Sequence, residues 1–253
     1  MIKVLIYGAN GKMGRKVKEA LSRSQKARAV CGVDITEDFS DGNFPVYKNI
    51  NQVKEQPDII IDFSSPASLD GILGYCADHK TGAVLCSTGY DDAQIEKIDK
   101  AAENTALFRS ANMSLGVNVL IKLVKQAAAA LKGFDAEIIE MHHNQKKDAP
   151  SGTAIMLADG IKEVLPEKYC TYGRHGIVGK RDVNEIGIHA VRGGNVVGDH
   201  QVIFAAENER ITLSHSAQDR GVFAEGAVKA AEFLYGKKNG LYDMNDLLDE
   251  ENA

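Results

Sequence analysis

The stretch "KVLIYGANGKMG", residues 3–14, constrains this chain more than any other. A short apolar run ends on Gly8, and glycines recur at 8, 11 and 14 with G-x-x-G-x-x-G spacing. Met13, Val17 and Leu21 then follow at the spacing of one helix face. A strand that turns through glycines directly into a helix is the opening of a βαβ unit. The rest of the N-terminal region keeps that rhythm. "ARAVCGVD", "DIIIDFS", "GAVLCSTG" and "ALFRSAN" read as strands. Residues 66–80 and "DDAQIEKIDKAAEN" read as helices, and 35–56, with Gly42 and Pro45, as a loop. The strands are continuous apolar runs with no alternation, as expected of a parallel sheet covered on both faces.

After residue 112 the rhythm changes. "VNVLIKLVKQAAAAL" predicts a helix, "AEIIEMHH" a strand and "TAIMLADGIKEVL" a helix. Three strand-like stretches follow, "IGIHAVRGG", "VVGDHQVIFAA" and "NERITLSHSA", which as sequence neighbours predict antiparallel pairing. The closing helix "VFAEGAVKAAEFLYG" could join either part. The expected fold class is α/β, a Rossmann-like doubly wound parallel sheet, plus a second α+β domain with a mixed or antiparallel sheet. The expected division is 1–112 with 221–253, and 113–220.

Bulk properties narrow the function classes. The chain has 253 residues, enough for two cores. Its 30 Lys and Arg against 35 Asp and Glu give a net charge of −5, which argues against a nucleic-acid surface. No apolar run reaches the roughly 20 residues that span a bilayer. The start resembles no signal peptide, so the expected location is the cytoplasm, without a membrane partner. Cys31, Cys76, Cys86 and Cys170 form no C-x-x-C pair and read as reduced, small apolar residues.

Two candidate sites emerge. In the first, the glycine turn lets backbone approach a pyrophosphate at a helix N-terminus. Gly8, Ala9, Asn10, Gly11, Lys12 and Met13 form the cradle. An ordinary tight turn is the alternative. Asp34, about 20 residues on at the end of the second strand, suits the adenosine ribose hydroxyls. Ile35 and Thr36 follow it where a 2′-phosphate would need a cation, and Lys12 is the cation of the loop. NADH is therefore expected as cofactor, with NADPH the second candidate. "DFSSP", "CSTGY" and "SANMS" end the later strands, where such folds bind ligands.

The second site is "EMHHNQKKDAPSGTA", residues 140–154. Adjacent histidines without a third ligand make a poor chelate, so no metal is expected. Imidazole titrates near neutrality and can hold or give a proton. Lys146 adds a donor or fixed charge, while Lys147 suits a solvated face. "PSGTA" opens a helix whose N-terminus can hold a carboxylate, and Ser151 or Thr153 can cap that helix. The combination suits a small dicarboxylate that is protonated beside a nicotinamide.

At these residues the chain resembles the 4-hydroxy-tetrahydrodipicolinate reductase (dihydrodipicolinate reductase) family, whose pattern is E-x-H-H-x-x-K-x-D-A-P-S-G-T-A. "GANGKMG", "STGY", "SANMSLGVNV", "IGIHAVRGGNVVGDHQVIFA", "ERITLSHSAQDR" and "GLYDMNDLLD" extend the resemblance over nearly the whole chain. It implies a dinucleotide-binding domain, with the C-terminal helix packed back on it, and a substrate-binding and oligomerisation domain. It also implies a homotetramer and an NAD(P)H-dependent reduction in lysine and diaminopimelate synthesis. It implies His142 and Lys146 as catalytic groups, with His143, Gly152 and Thr153 on the substrate. Residues 8–13, Asp34, Cys86, Ser87, Thr88, Ser110, Ala111, Asn112 and Met113 would contact the cofactor. Cys86 departs from a family glycine, and no arginine follows Asp34. The competing readings are another two-domain nicotinamide-dependent dehydrogenase and a non-catalytic dinucleotide sensor.

Overall fold

The computed structural model describes residues 1–36 and 44–251, so part of the loop expected over 35–56 lies outside the described residues. Two compact units are present: Met1–Leu115 with Arg220–Ala253, and Gly116–Asp219.

The first unit opens with β1 (Ile2–Tyr7), α1 (Lys12–Arg23), β2 (Ala27–Val33) and the two-residue β3 (Val46–Tyr47). β4 (Ile59–Asp62), α2 (Leu69–His79), β5 (Gly82–Leu85), α3 (Asp92–Ala102) and β6 (Ala106–Arg109) follow. β4 and β5 are buried at every residue, the property their unbroken apolar runs predict. α3 starts where its sequence says. Asp91 accepts from the Gln94 amide at 2.8 Å and the Gln94 side chain returns to the Asp91 amide at 3.2 Å, a reciprocal cap.

The second unit carries α4 (Leu115–Ala130), β7 (Asp135–His142), α5 (Gly152–Val164), β8 (Tyr169–Tyr172), β9 (Glu185–Arg192), β10 (Gly198–Ala205) and β11 (Arg210–Ala217). The chain then returns to the first unit with α6 (Gly221–Leu234), β12 (Gly240–Tyr242) and α7 (Met244–Glu251). α6 buries Ala224, Ala227, Ala230, Ala231 and Leu234 in the core that also holds Val4, Ile6, Ile61 and Val84. The sheet order is β12-β6-β5-β4-β1-β2-β3, and every pairing is parallel. Strand order reverses between β1 and β4, which opens a crevice at their carboxyl ends.

The second sheet runs β11-β10-β7-β9-β8 and is mixed. β10 pairs antiparallel with β11 and β7, whereas β9 pairs parallel with β7 and β8. The antiparallel expectation therefore holds for β10 with β11 and fails for β9 with β10, because β7 lies between them. Their connection crosses the end of β7 instead: the Gly193 amide donates to the His142 carbonyl at 2.9 Å, and the His143 amide to the Val196 carbonyl at 2.7 Å. One face of this sheet packs on α4 and α5 through Leu120, Val124, Leu157 and Ile161.

Candidate functional site

In the first unit, Gly8 leaves β1 at φ +81°, a conformation that side chains rarely adopt. A Cβ there would stand 2.9 Å from the Phe63 carbonyl oxygen, and one at Gly14 only 2.1 Å from the Gly8 oxygen. Both positions are cut to glycine so that turn, helix and β4 can close up. Gly11 caps α1 without a side chain, which leaves the first-turn N–H groups for an anion. The cradle therefore fits a pyrophosphate.

Asp34 ties this loop down. Its carboxylate accepts from the Asn10 amide at 2.9 Å, the Thr36 amide at 2.9 Å and the Thr36 hydroxyl at 2.8 Å. Burial would raise its pKa, but these bonds outweigh it and hold Asp34 below the usual range. Four lone-pair sites on a carboxylate leave room for a ribose hydroxyl as well. Ile35 is 91% exposed and Lys12 is exposed.

The other cofactor candidates divide by side chain. Ala9, Cys86 and Met113 are buried in the core, so they could offer only backbone to a ligand. Gly11, Thr88 and Ala111 are exposed, and Asn10, Met13, Ser87, Ser110 and Asn112 are half-buried. Burial pushes the Cys86 thiol well up, as suits an apolar residue. The Ser87 hydroxyl donates to the buried Asp62 carboxylate at 2.7 Å, as do the Ser64 amide at 3.0 Å and the Ser64 hydroxyl. Asp62 opens the "DFSSP" segment that the sequence places at a strand end, with no role assigned to the residue itself. It ends the apolar strand β4 at its carboxyl end.

In the second unit, the pleat of β7 buries alternate residues, so Glu140 and His142 share one face. His142 is 8% exposed and its Nδ1 lies 2.6 Å from Glu140 Oε2. Glu140 also accepts from Arg192 through both Nη1, at 2.8 Å, and Nη2, at 2.7 Å, and from the Ser151 amide at 3.0 Å. Burial alone would raise Glu140, but Arg192 and then His142 and Ser151 keep it below its ordinary value. The Ser151 hydroxyl accepts from the Ala154 amide, so Ser151, and not Thr153, caps α5. It also meets His200 Nε2 at 2.9 Å. His142 and His200 stand edge to face, 5.2 Å apart.

His143 sits just past the strand, half-buried, with its Nδ1 buried and unpartnered among the described residues. The Lys146 amide bonds back to the His143 carbonyl, and its ammonium pairs with Asp148 at 3.0 Å. Lys147 is exposed. Gly152 is exposed at the first turn of α5 with open space beside it, and Thr153 is half-buried. The last residue of β7, the turn after it and the first turn of α5 carry the five candidates, His142, His143, Lys146, Gly152 and Thr153, and Glu140 ties the strand end to the helix cap. Sequence reasoning missed Glu140, Ser151's second bond, Arg192 and His200. Only the Glu140–His142 spacing carried a local signal.

A parallel sheet with a glycine-cornered βα turn and a strand-end carboxylate defines a nicotinamide-dinucleotide-binding protein of the α/β class, here joined to a mixed-sheet unit. The chain belongs to the dihydrodipicolinate reductase family: residues 2–113 match "Dihydrodipicolinate reductase, N-terminus" and 116–248 match "Dihydrodipicolinate reductase, C-terminus". It is 51% identical over 249 residues to the 4-hydroxy-tetrahydrodipicolinate reductase of Caldanaerobacter subterraneus subsp. tengcongensis, covering 98% of each chain. It is 47% identical to that of Clostridium tetani, covering 98% of this chain and 97% of the relative. Among solved structures it resembles the dipicolinate-bound dihydrodipicolinate reductase of Paenisporosarcina sp. TG-14. That match has a TM-score of 0.83 at 27% identity, covering 97% of this chain and 99% of the other.

Proposed function

We propose that this chain reduces 4-hydroxy-tetrahydrodipicolinate to tetrahydrodipicolinate with a reduced nicotinamide dinucleotide, in lysine and diaminopimelate synthesis. The observation that carries this reading is the set of His142, His143 and Lys146 at the end of β7, directly before the start of α5. The bound nicotinamide supplies a hydride to the substrate. The chain's own part is to bind, orient and move a proton. Gly152 and Thr153 at the α5 N-terminus suit a substrate carboxylate, since backbone N–H groups and the helix dipole favour an anion. His143 and the Lys146 ammonium add donors for a second carboxylate, and the dipicolinate held by the Paenisporosarcina relative is such a dianion. The 4-hydroxyl of the substrate leaves as water before the hydride adds to the conjugated ring, and Lys146 and His142 carry the proton that then completes the reduction at the adjacent carbon.

For the cofactor, residues 8–13 hold the pyrophosphate and Asp34 the ribose hydroxyls, while Cys86, Ser87, Thr88, Ser110, Ala111, Asn112 and Met113 serve the nicotinamide end. The exposed Ile35 beside Asp34 favours NADH over NADPH, because a 2′-phosphate would meet a carboxylate and no following cation. The face of the second sheet that carries the half-buried Ile139, Met141 and Ile203 suits self-association into a homotetramer. Four free cysteines suit the reducing cytoplasm.

The test is a coupled assay. The substrate is made in the cuvette from pyruvate and aspartate semialdehyde by the upstream synthase, and loss of NADH or NADPH is followed. Oxidation that needs both synthase and this protein is expected, faster with NADH. Folded protein that oxidises neither would overturn the reading. Light scattering at four times the chain mass is expected for the tetramer, and a monomer would refute it.

A further inference from the structure

Glu140 is fully buried, and burying a carboxylate is costly unless it is paired and hydrogen-bonded. Its surroundings are all donors. Arg192 closes on both oxygens in a two-pronged pair, and a guanidinium has five N–H groups, no acceptor and no proton to lose. The Ser151 amide takes a further position on Oε1. Among these partners only the His142 ring nitrogen could accept a proton, and the two-pronged guanidinium with the Ser151 amide keeps Glu140 ionised. The hydrogen of the 2.6 Å contact to His142 therefore belongs to the ring, on Nδ1.

We propose that Glu140, clamped by Arg192, is a positioning residue that locks His142 in its Nδ1–H form and makes Nε2 the atom that exchanges the proton with substrate. The last clause rests on the reductase reading; the tautomer does not. A Cβ on Gly198 would stand 3.0 Å from His142 Nε2, so the glycine keeps that edge of the ring uncrowded. His200 braces the other side. The Ser151 hydroxyl accepts from the Ala154 amide and also meets His200 Nε2 at 2.9 Å, while His200 Nδ1 is buried without a partner among the described residues. Burial first, and the nearby His142 second, push His200 down to about 4, so it stays uncharged near neutrality. Among the described residues, the charged and titratable groups shown to bear on His142 or on its Glu140 partner are Glu140 on its own strand, Arg192 on β9 and His200 on β10, with Ser151 at the cap of α5 contributing uncharged groups. A fixed carboxylate on Nδ1 stabilises the imidazolium and aims the ring, the same division of labour as a carboxylate behind a catalytic histidine elsewhere.

The first experiment is side-chain nitrogen NMR on the unliganded wild-type protein, with His142 assigned from its substitution to Gln. The expected pattern for the neutral ring is a protonated Nδ1 and a bare Nε2. A dominant Nε2–H form, or an even mixture, would overturn the proposal whether or not the protein turns over any substrate. The second is E140Q in the coupled assay. A fall in kcat of about ten-fold or more is expected, with KM little changed and the acid-requiring limb of the pH–rate profile moved to lower pH. A folded E140Q with wild-type kcat and an unmoved profile would refute the positioning role. If E140Q does not fold, the wild-type tautomer decides. Absence of wild-type turnover would sink the reductase reading and leave the tautomer standing.

Discussion

The same substitution, Gly to Ala, should act with opposite signs at two helical positions of the first unit. In α6, a Cβ on Gly226 would lie 1.7 Å from the Met113 carbonyl oxygen and 2.8 Å from its carbon. Ordinary contacts between heavy atoms need about 3.5 Å, so one backbone must move by more than an ångström. The obstacle is main chain, not the end of a flexible side chain. Overpacking of this kind costs about 1–3 kcal/mol, and here the upper end applies. Alanine returns roughly 1 kcal/mol in helix propensity. The net loss is about 2 kcal/mol, or a fall in Tm of roughly 4–8 °C for a chain of this size. In α2, Gly74 is exposed and nothing lies within 4 Å of its added Cβ. Gly74→Ala should therefore gain roughly 0.5–1 kcal/mol. Calorimetric melts of the two variants and the parent test this directly. Since Met113 is a cofactor candidate, Gly226→Ala should also weaken NADH binding by titration calorimetry, and Gly74→Ala should not. A Gly226→Ala protein that melts at or above the parent would refute the packing argument.

Three further outcomes follow from the site and the second sheet. Burial would raise Glu137, but Arg174, Arg181 and His189 bond to it and pull its pKa from 4.5 to about 2. The folded value is depressed, so the contribution is complete above pH 4.5 and is lost as pH falls towards 2. Acid unfolding should show a loss of about 3 kcal/mol over that window, and Glu137→Gln should flatten it; an unchanged acid limb would contradict the assignment. Asp34→Ala should weaken NADH far more than substrate, and equal NADH affinity by calorimetry would refute its role. Lys146→Ala should lose turnover by roughly 10²–10⁴-fold. Its pair with the exposed Asp148 is worth at most about 1 kcal/mol of fold stability, so near-full turnover would show that its role is wrong.

How legible the molecule was depended on whether local pattern or long-range pairing decides each feature. β1, β4, β5 and β6 were plain because a strand buried on both faces has to be apolar throughout. The start of α3 was plain from its acidic opening, while for α5 the sequence leaves Ser151 and Thr153 open as caps and the structure selects Ser151. β8 and β12 escaped for the opposite reason. β8 is a four-residue edge strand with both ends exposed, and β12 is three residues long and begins with Gly240. α7 likewise carries a short, acidic sequence with a weak local signal. The order of the second sheet is set by β7 entering between β9 and β10, which adjacency in sequence does not reveal, and the connection after β9 spans the end of β7. The His-His-x-x-Lys stretch could be seen in one dimension. Arg192 and His200, 52 and 60 residues from Glu140 by position in the chain, could not.

Two buried carboxylates, both fully enclosed, should respond differently to amide substitution, because their donors differ in kind. Asp62 is held by the Ser64 amide and by the hydroxyls of Ser64, Ser87 and Tyr90, with no cation among these donors. Burial pushes its pKa up, only partly offset by those bonds. Ionised Asp62 is therefore a burden at pH 7, and stability rises as pH falls through its folded pKa. In Asp62→Asn, the amide oxygen can keep the Ser64 side, while the Ser87 and Tyr90 hydroxyls rotate and accept from the new NH₂. The variant should fold at pH 7 within about 1 kcal/mol of the parent, and the parent should gain on it as pH is lowered. Glu140 has no such freedom. Arg192 offers only N–H groups to both oxygens, so a Gln NH₂ must face a donor. Breaking a buried ion pair from one side costs about 3–5 kcal/mol. Denaturant unfolding of Asp62→Asn and Glu140→Gln, side by side at pH 7, decides the matter. Equal losses in the two variants would show that burial alone, and not the rotatability of the donors, sets the cost.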